Sequence, residues 1–143
     1  MMQMFRGCKA LTSLNLSKFD TQKVVDMSSM FYYCSQLASI DVSTFNTANV
    51  TNMDNMFRAC LALTTLDLKT FNTSKVTSMV TMFFYCSKLA SVDLSNFNTE
   101  NVTAMIAMFQ GCSALTSLDL KNFNTAKVAT MKNMFYGCKK LAS

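Results

Sequence analysis

Apolar residues recur along this chain with a fixed step of 26 positions. The pair Met-Phe occurs six times without insertion or deletion, and a cysteine and a leucine follow each pair at constant distances. One unit reads Met-Phe-x-x-Cys-x-x-Leu-x-x-Leu-x-Leu-x-x-Phe-Asn-Thr-x-x-Val-x-x-Met-x-x. A constant period of this length indicates a stacked repeat architecture. We predict a single solenoid over residues 1–143 with about five and a half units. Because both ends fall inside a unit, we expect an excerpt of a longer array.

Each unit contains two apolar periodicities. The stretch from Leu37 to Val42 ends in alternating apolar and polar positions, which predicts a short strand. Phe45 then closes the core at a turn that includes Asn46. From Val50 onward the apolar residues lie three or four apart, which predicts a short helical or 3-10 return. The sequence therefore predicts an α/β repeat solenoid with one short parallel strand and one helical or 3-10 return per coil.

A finer alternation indicates that the duplicated unit is a pair of coils, 52 residues long. Lysine alternates with asparagine in one column of equivalent positions, and threonine alternates with alanine in another. These columns are Lys23, Asn49, Lys75, Asn101 and Lys127, and Thr12, Ala38, Thr64, Ala90, Thr116 and Ala142. We therefore expect surface properties to recur on every second coil.

The fuller string Met-Phe-x-x-Cys-x-x-Leu-x-x-Leu-Asp-Leu-x-x-Phe-Asn-Thr-x-x-Val-Thr-x-Met resembles the BspA-like leucine-rich repeats of microbial surface proteins, which also occur in mycoplasma-type surface lipoproteins. The resemblance covers essentially the whole chain. It implies a right-handed leucine-rich-repeat solenoid, a cell-surface or extracellular location, and a role in adhesion or partner binding. No signal peptide is visible, so the expected location rests on the resemblance.

Composition argues against several classes of function. The chain has no histidine, and every unit repeats the same residues, so we predict no enzyme, no catalytic residue and no cofactor. The 13 basic residues are scattered, and the sequence displays no patch of cations interleaved with aromatics. We therefore expect no nucleic-acid partner. No apolar run is long enough to span a bilayer, so we expect no direct membrane insertion.

The six cysteines are equivalent residues of successive units: Cys8, Cys34, Cys60, Cys86, Cys112 and Cys138. None is paired at the short spacing of a structural zinc site, so we predict no metal. Stacked cysteines would lie about 5 Å apart, close enough for a disulfide. A cysteine at the same apolar position in every coil is more simply a ladder of small buried side chains. We predict reduced thiols that face the core.

An acidic row on the predicted strands is the candidate ligand-binding site. Its members are Asp41, Asp67, Asp93 and Asp119, with Asn15 at the equivalent place in the first unit and Lys69 and Lys121 on the same face. Solenoids commonly bind partners through the face formed by their strands. One carboxylate per coil offers few oxygens to calcium, which requires six to eight. A solvated row that keeps the sheet soluble is the alternative interpretation.

Two further columns carry alternative hypotheses. The threonines Thr21, Thr47, Thr73, Thr99 and Thr125 either match ice or cap turns by satisfying backbone donors. Aromatic residues recur on every second coil, at Tyr32-Tyr33, Phe84-Tyr85 and Tyr136, with Arg6 and Arg58 between them. Tyrosine and arginine are typical of partner-binding surfaces, and equally of a packing surface between two solenoids. For the aromatics we predict partial burial rather than a dedicated site.

These patterns predict a non-enzymatic module that binds a protein or glycan through its strand face. The alternative is a structural protein, because two open and complementary ends join copies of a solenoid head to tail into a filament. Ice binding through the threonine column is the third hypothesis.

Overall fold

The computed structural model describes residues 1–143 as a stack of coils in which equivalent residues of neighbouring units lie side by side. Parallel bridges join one column of residues through the stack: Asp26 to Asn52, Asn52 to Ser78, Ser78 to Ala104, and Ala104 to Thr130. These isolated bridges are the only β-structure, and no residue lies in a helix. The repeat solenoid is therefore confirmed, whereas the elements within each coil differ from the prediction. No segment forms a helix long and apolar enough to cross a bilayer.

The predicted helical return is wrong, because this part of each coil is a run of tight turns. Amides at alternate positions donate to carbonyls of the next coil at 2.8–3.1 Å, as in Met27, Ser29, Phe31 and Tyr33. The amides between them donate to the carbonyl three residues back in the same coil at 3.1–3.3 Å, as in Met30, Tyr32 and Cys34. A helix would direct every amide along its own axis. This segment, residues 27–34 in the second coil and the equivalent residues of the others, is called here the turn run. Its hydrogen bonds join each coil to the next.

The turn run places two residues per coil in the left-handed backbone region. In the second coil these are Ser29 and Tyr33, with φ of 55° and 62°. Glycine occupies the second of these positions in three coils, at Gly7, Gly111 and Gly137, with φ of 76–78°. A left-handed non-glycine residue costs on the order of 1–3 kcal/mol and persists only where its surroundings determine it. Here the hydrogen bonds to the next coil hold the conformation.

The predicted strand from Leu37 to Val42 is not paired as a β-strand. Its hydrogen bond to the next coil runs from the Thr64 amide to the Ala38 carbonyl at 3.1 Å. The following amides are bonded within the coil, with Ser43 donating to the Asp41 carboxylate at 2.9 Å and Phe45 to the Val42 carbonyl at 3.0 Å. Amides satisfied inside one coil cannot form a ladder between coils.

The core is a set of ladders that run along the stack. Phenylalanine rings stack with centroids 5.3–5.9 Å apart and planes within 4–10° of parallel, through Phe5, Phe31, Phe57, Phe83, Phe109 and Phe135. Methionine, cysteine and leucine ladders pack around these rings. Phe45 is buried at its turn, as predicted. Each coil thus buries its apolar face only against the next.

The threonine column lies inside the stack, so it is not an ice-matching face. Thr21, Thr47, Thr73 and Thr99 are at most 2% exposed. The Thr73 hydroxyl donates to the Asn98 carbonyl at 2.9 Å and accepts the Asn98 amide at 2.8 Å. The prediction of a cap that satisfies backbone groups is confirmed, and the capped groups belong to the neighbouring coil.

All six cysteines are free thiols, and Cys34, Cys60, Cys86 and Cys112 are buried, as predicted. Each buried sulfur donates to a phenylalanine carbonyl of the preceding coil at 3.1–3.2 Å. Burial raises the pKa of the Cys34 thiol to about 11 and that of Cys112 to about 12. The ladder is therefore protonated at neutral pH and acts as a column of small core side chains.

Candidate functional site

The structure brings three of the predicted acidic residues into one groove. Asp41, Asp67 and Asp93 line a depression of about 460 Å³ that crosses three successive coils. All three side chains are exposed, and Ser39 and Ser91 contribute hydroxyl groups to the same lining. Asp119 continues the column but lies outside the groove, together with Lys69 and Lys121. The predicted row therefore exists as an acidic groove, which we define by Asp41, Asp67 and Asp93.

Each carboxylate of the row is oriented by its own backbone. One oxygen accepts the amide two residues further on at 2.9–3.0 Å, in Asp41, Asp67, Asp93 and Asp119. Asn15 makes the same bond to the Ser17 amide at 3.0 Å. The turn therefore requires a side-chain acceptor rather than a charge. The negative charge at the four aspartates exceeds what the turn requires.

These hydrogen bonds also keep the carboxylates ionised. Bonds from the Ser43 side chain and amide lower the pKa of Asp41. Corresponding bonds from Ser95 lower the pKa of Asp93, and the charges of Lys69 and Lys121 lower it further. Asp41 and Asp93 are therefore anionic at neutral pH. The carboxylates of the groove are exposed to solvent, where a cationic partner can reach them.

Of the two lysines that the sequence placed on this face, one forms an ion pair with the acidic row. Lys121 pairs with Asp119 at 2.9 Å, with side chains 70% and 55% exposed. An ion pair this exposed contributes roughly 0–1 kcal/mol to stability. The lysine amide first, and then the lysine side chain, lower the pKa of Asp119. The acidic groove itself keeps three carboxylates outside any ion pair.

The alternation of lysine and asparagine forms a hydrogen-bonded column on the surface. Lys75 and Lys127 donate to the side-chain oxygens of Asn49 and Asn101, each at 2.8 Å. The Asn49 amide group donates in turn to the Gln22 carbonyl at 3.0 Å. Lysines in every coil would lie about 5 Å apart and repel each other. Asparagine between them gives a physical reason for the pairwise repeat of 52 residues.

A second surface alternates cations with aromatic rings. The Arg6 guanidinium lies 5.1 Å from the Tyr32 ring centroid, and Arg58 lies 5.4 Å from Tyr32 on the other side. Arg58 is also 4.5 Å from the ring of Phe84. The expectation that no cations interleave with aromatics is therefore wrong, although the 26-residue register had already placed these residues in one column. The absence of a nucleic-acid partner stays a prediction, now without that support.

A groove of about 490 Å³ lies beside this column, between Tyr85 and Tyr136. Gly111 and Gly137 form part of its lining. A Cβ atom on Gly111 would lie 3.1–3.2 Å from three atoms of the Tyr85 ring, so the ring rests against the glycine backbone. The groove depends on residues without side chains at these two positions.

A family model described as "Mycoplasma protein of unknown function, DUF285" matches residues 1–91 and 62–143, which together span the chain. The chain belongs to the DUF285 family. This agrees with the resemblance to mycoplasma-type surface repeats. No curated protein matches this DUF285 chain.

A solved structure shares the fold. A crystal structure of a T. pallidum leucine-rich-repeat protein matches 99% of this chain and 70% of its own, with a TM-score of 0.58 and 20% sequence identity. This likeness supports a leucine-rich-repeat solenoid for the DUF285 chain. It does so although the turn run and the unpaired Leu37–Val42 stretch replace the predicted helix and strand.

Sequence reasoning located the acidic row in this DUF285 chain but missed the second groove. The sequence contained a sign of this groove, because the column that has glycine at Gly111 and Gly137 has tyrosine at Tyr33 and Tyr85. Tyr33 and Tyr85 are 40% and 48% exposed, which agrees with the predicted partial burial, but the sequence gave no indication of the groove beside them. Only the stack shows that a ring from one coil covers the glycine of the next.

Proposed function

We propose that this DUF285 chain is a non-enzymatic binding module of a cell-surface adhesin. Its acidic groove recognises a lysine- or arginine-bearing segment of a partner protein. The observation that carries the proposal is the alignment of three exposed carboxylates in one groove, outside any ion pair. The leucine-rich-repeat fold supports a role in interaction rather than catalysis.

The geometry of the groove favours a repetitive cationic ligand. Carboxylates on successive coils lie about 5 Å apart, and each is held by its own turn before any partner arrives. Pre-oriented groups lose little side-chain entropy on binding. The chain as a whole carries a net charge of +5, so a cationic peptide is repelled by the molecule and attracted only locally. Binding of such a peptide would therefore report on the groove.

The test measures the affinity of a lysine-rich peptide by fluorescence anisotropy at low and physiological salt. The double variant Asp67→Asn/Asp93→Asn keeps both turn acceptors, as Asn15 does in the first coil. We expect it to weaken binding by about five- to tenfold, since each lost ion pair contributes up to about 1 kcal/mol.

The matched control is Asp20→Asn/Glu100→Gln, which removes the same charge at exposed positions of two other columns. Equal loss of affinity in the two variants would show that the peptide responds to total charge, and would reject the groove as its site.

A second candidate function is end-to-end assembly. Every internal coil buries the same phenylalanine, methionine and leucine columns against an equivalent set of its neighbour. The faces of any two coils are therefore complementary, and head-to-tail contacts of this kind propagate without closing. Analytical ultracentrifugation across a wide concentration range tests this candidate, for which growing species are expected. A monomer at every concentration contradicts it.

A further inference from the structure

The net positive charge of the molecule lies on the side of the solenoid that contains the Met-Phe pairs, because this side has no carboxylate. Six of the 13 cations and none of the eight carboxylates lie in the ten-residue segments that begin at each Met-Phe pair. These cations are Arg6, Lys9, Arg58, Lys88, Lys139 and Lys140. The rest of the chain, including the acidic groove, carries all of the negative charge. The same part also carries the other seven cations and is nearly neutral, so the net positive charge of the chain lies on the side of the Met-Phe segments.

The cations on this side have no acidic partner. The one ion pair of the molecule joins Lys121 to Asp119, on the other side. Arg6 and Arg58 lie over aromatic rings instead, and Lys9 lies 4.9 Å from the ring centroid of Tyr33. A ring attracts a cation without neutralising it. The side therefore presents a positive field that only an external anion can satisfy.

Exposed tyrosines border the same surface. Tyr33 and Tyr85 are 40% and 48% exposed and lie two coils apart, about 10 Å along the stack. Beside Tyr85 is the groove that extends to Tyr136, and Ser87 and Ser113 place hydroxyl groups in its lining. Flat rings, small hydroxyls and a cation next to a shallow groove suit a sugar ring, which has an apolar face and polar edges.

We propose that this surface, defined by Arg58, Lys88, Tyr85, Tyr136 and Lys139 and called here the basic aromatic face, binds a linear anionic polysaccharide with carboxylate or sulfate groups. The sugar rings pack on the tyrosines, and the acidic groups contact the lysines. This site is separate from the acidic groove, with which it shares no residue.

Two other anionic polymers fit the face less well. Stacked nucleotides repeat at about 3.4 Å along a strand, whereas the exposed tyrosines recur only on every second coil. A peptide adding as a β-strand needs free backbone donors. The amides of Tyr33, Tyr85 and Gly111 are already bonded to carbonyls of the next coil at 2.7–2.9 Å. Charge, ring spacing and occupied amides together favour the polysaccharide.

The first arm of the test examines charge. Binding of a heparin oligosaccharide is measured by isothermal titration calorimetry at physiological salt. Lys88→Gln/Lys139→Gln is compared with Lys18→Gln/Lys69→Gln, which removes the same charge on the opposite side. We expect the first variant to weaken binding by about five- to tenfold, and the second to leave it within about twofold. No binding by the natural chain, or equal losses in the two variants, overturns the proposal.

The second arm examines the rings and the class of ligand. Tyr85→Leu keeps an apolar side chain over Gly111 but removes the flat ring. We expect it to weaken heparin binding by at least about threefold while polyglutamate binding stays unchanged, with circular dichroism establishing that the fold persists. Equal binding of polyglutamate or single-stranded DNA by the natural chain, together with no effect of Tyr85→Leu, would show recognition of charge alone and reject a polysaccharide. Because this arm uses neither the acidic groove nor its peptide probe, its failure leaves the proposed function intact.

Discussion

At the scale of single residues, this protein depends on positions whose chemistry is set by the neighbouring coil. Cysteine occupies a site beside a phenylalanine carbonyl of the coil before it, at 3.1 Å for Cys86. Tyr85 rests on a position that is glycine in the next coil. Asp41 and Asn15 share one turn geometry but differ in charge. The structural role of a residue in this chain therefore depends on which residues occupy the facing positions of the neighbouring coils.

The cysteine ladder leads to a prediction about reactivity and pH. Burial raises the pKa of the Cys34 thiol to about 11, from an ordinary value of 9.0. In the folded chain we expect a thiol reagent at neutral pH to modify the exposed Cys8 rapidly and the four buried thiols only after unfolding. Mass spectrometry of tryptic peptides after timed labelling measures this order.

The same shifts predict the direction of alkaline destabilisation. A thiol whose pKa is raised by folding keeps its full contribution to stability below pH 9, and loses it as the pH rises through the folded-state value. The free energy of unfolding should therefore fall above pH 9. Rapid labelling of Cys86 in the folded chain, or stability that is constant up to pH 11, would contradict a buried ladder.

At the scale of elements, the coil is assembled from turns rather than from helices and strands. Along the turn run, amides that donate to the next coil alternate with amides that donate within their own coil. One segment therefore both bends the chain and joins it to the neighbouring coil. On the opposite side, Thr47 and Thr73 bridge each coil to the backbone of the next through their hydroxyl groups. Side-chain hydroxyls therefore provide contacts that a β-ladder supplies in other solenoids.

The threonine column gives a prediction at this scale. Thr73→Val preserves the shape of this buried side chain but leaves the Asn98 amide and carbonyl without their partner. We expect a loss of about 2–4 kcal/mol in the free energy of unfolding, from two unsatisfied backbone groups. Urea denaturation measures this loss.

Two controls isolate the hydroxyl. Thr73→Ser keeps it and should recover most of the stability. Thr125→Val alters an exposed member of the column and should change the free energy by about 0.5 kcal/mol or less. A full loss in the serine variant would assign the effect to packing of the methyl group instead.

At the scale of the whole molecule, stability is transmitted along one axis. The phenylalanine rings stack through every coil, and each internal ring stacks on its equivalents in the coil before and the coil after. A solenoid of this kind behaves as a series of nearest-neighbour interfaces. Two opposite surfaces run along the same axis, one acidic and one basic, so the repeat also extends the binding chemistry in one direction.

This linear arrangement predicts that the cost of a core deletion depends on its position in the stack. Phe83→Ala removes a fully buried ring between two stacked neighbours and should lower the free energy of unfolding by about 3–5 kcal/mol. Phe135 is 39% exposed and stacks on one side only, so Phe135→Ala should cost less than half as much. Chemical denaturation of both variants tests the difference. Equal losses would indicate a globally cooperative core rather than a chain of interfaces.

The sequence by itself determined the register of this protein and the columns of its core. A period of 26 residues without insertion assigns every residue to a column, and the buried columns are the apolar ones. The acidic row followed from the same register. The sequence could not determine which carbonyl each amide donates to, because a run of tight turns and a helix both place apolar residues three or four positions apart on one side.

Only the tertiary structure decided that alternate amides of the turn run donate to carbonyls of the next coil. Such a bond forms only when stacking brings the two coils within hydrogen-bonding distance. The basic aromatic face arose in the same way. In the column beside it, Arg6 and Arg58 are far in sequence from the rings of Tyr32 and Phe84 and become their neighbours at 4.5–5.4 Å when the coils stack. The repeat defined the columns, and contact between coils gave them their chemistry.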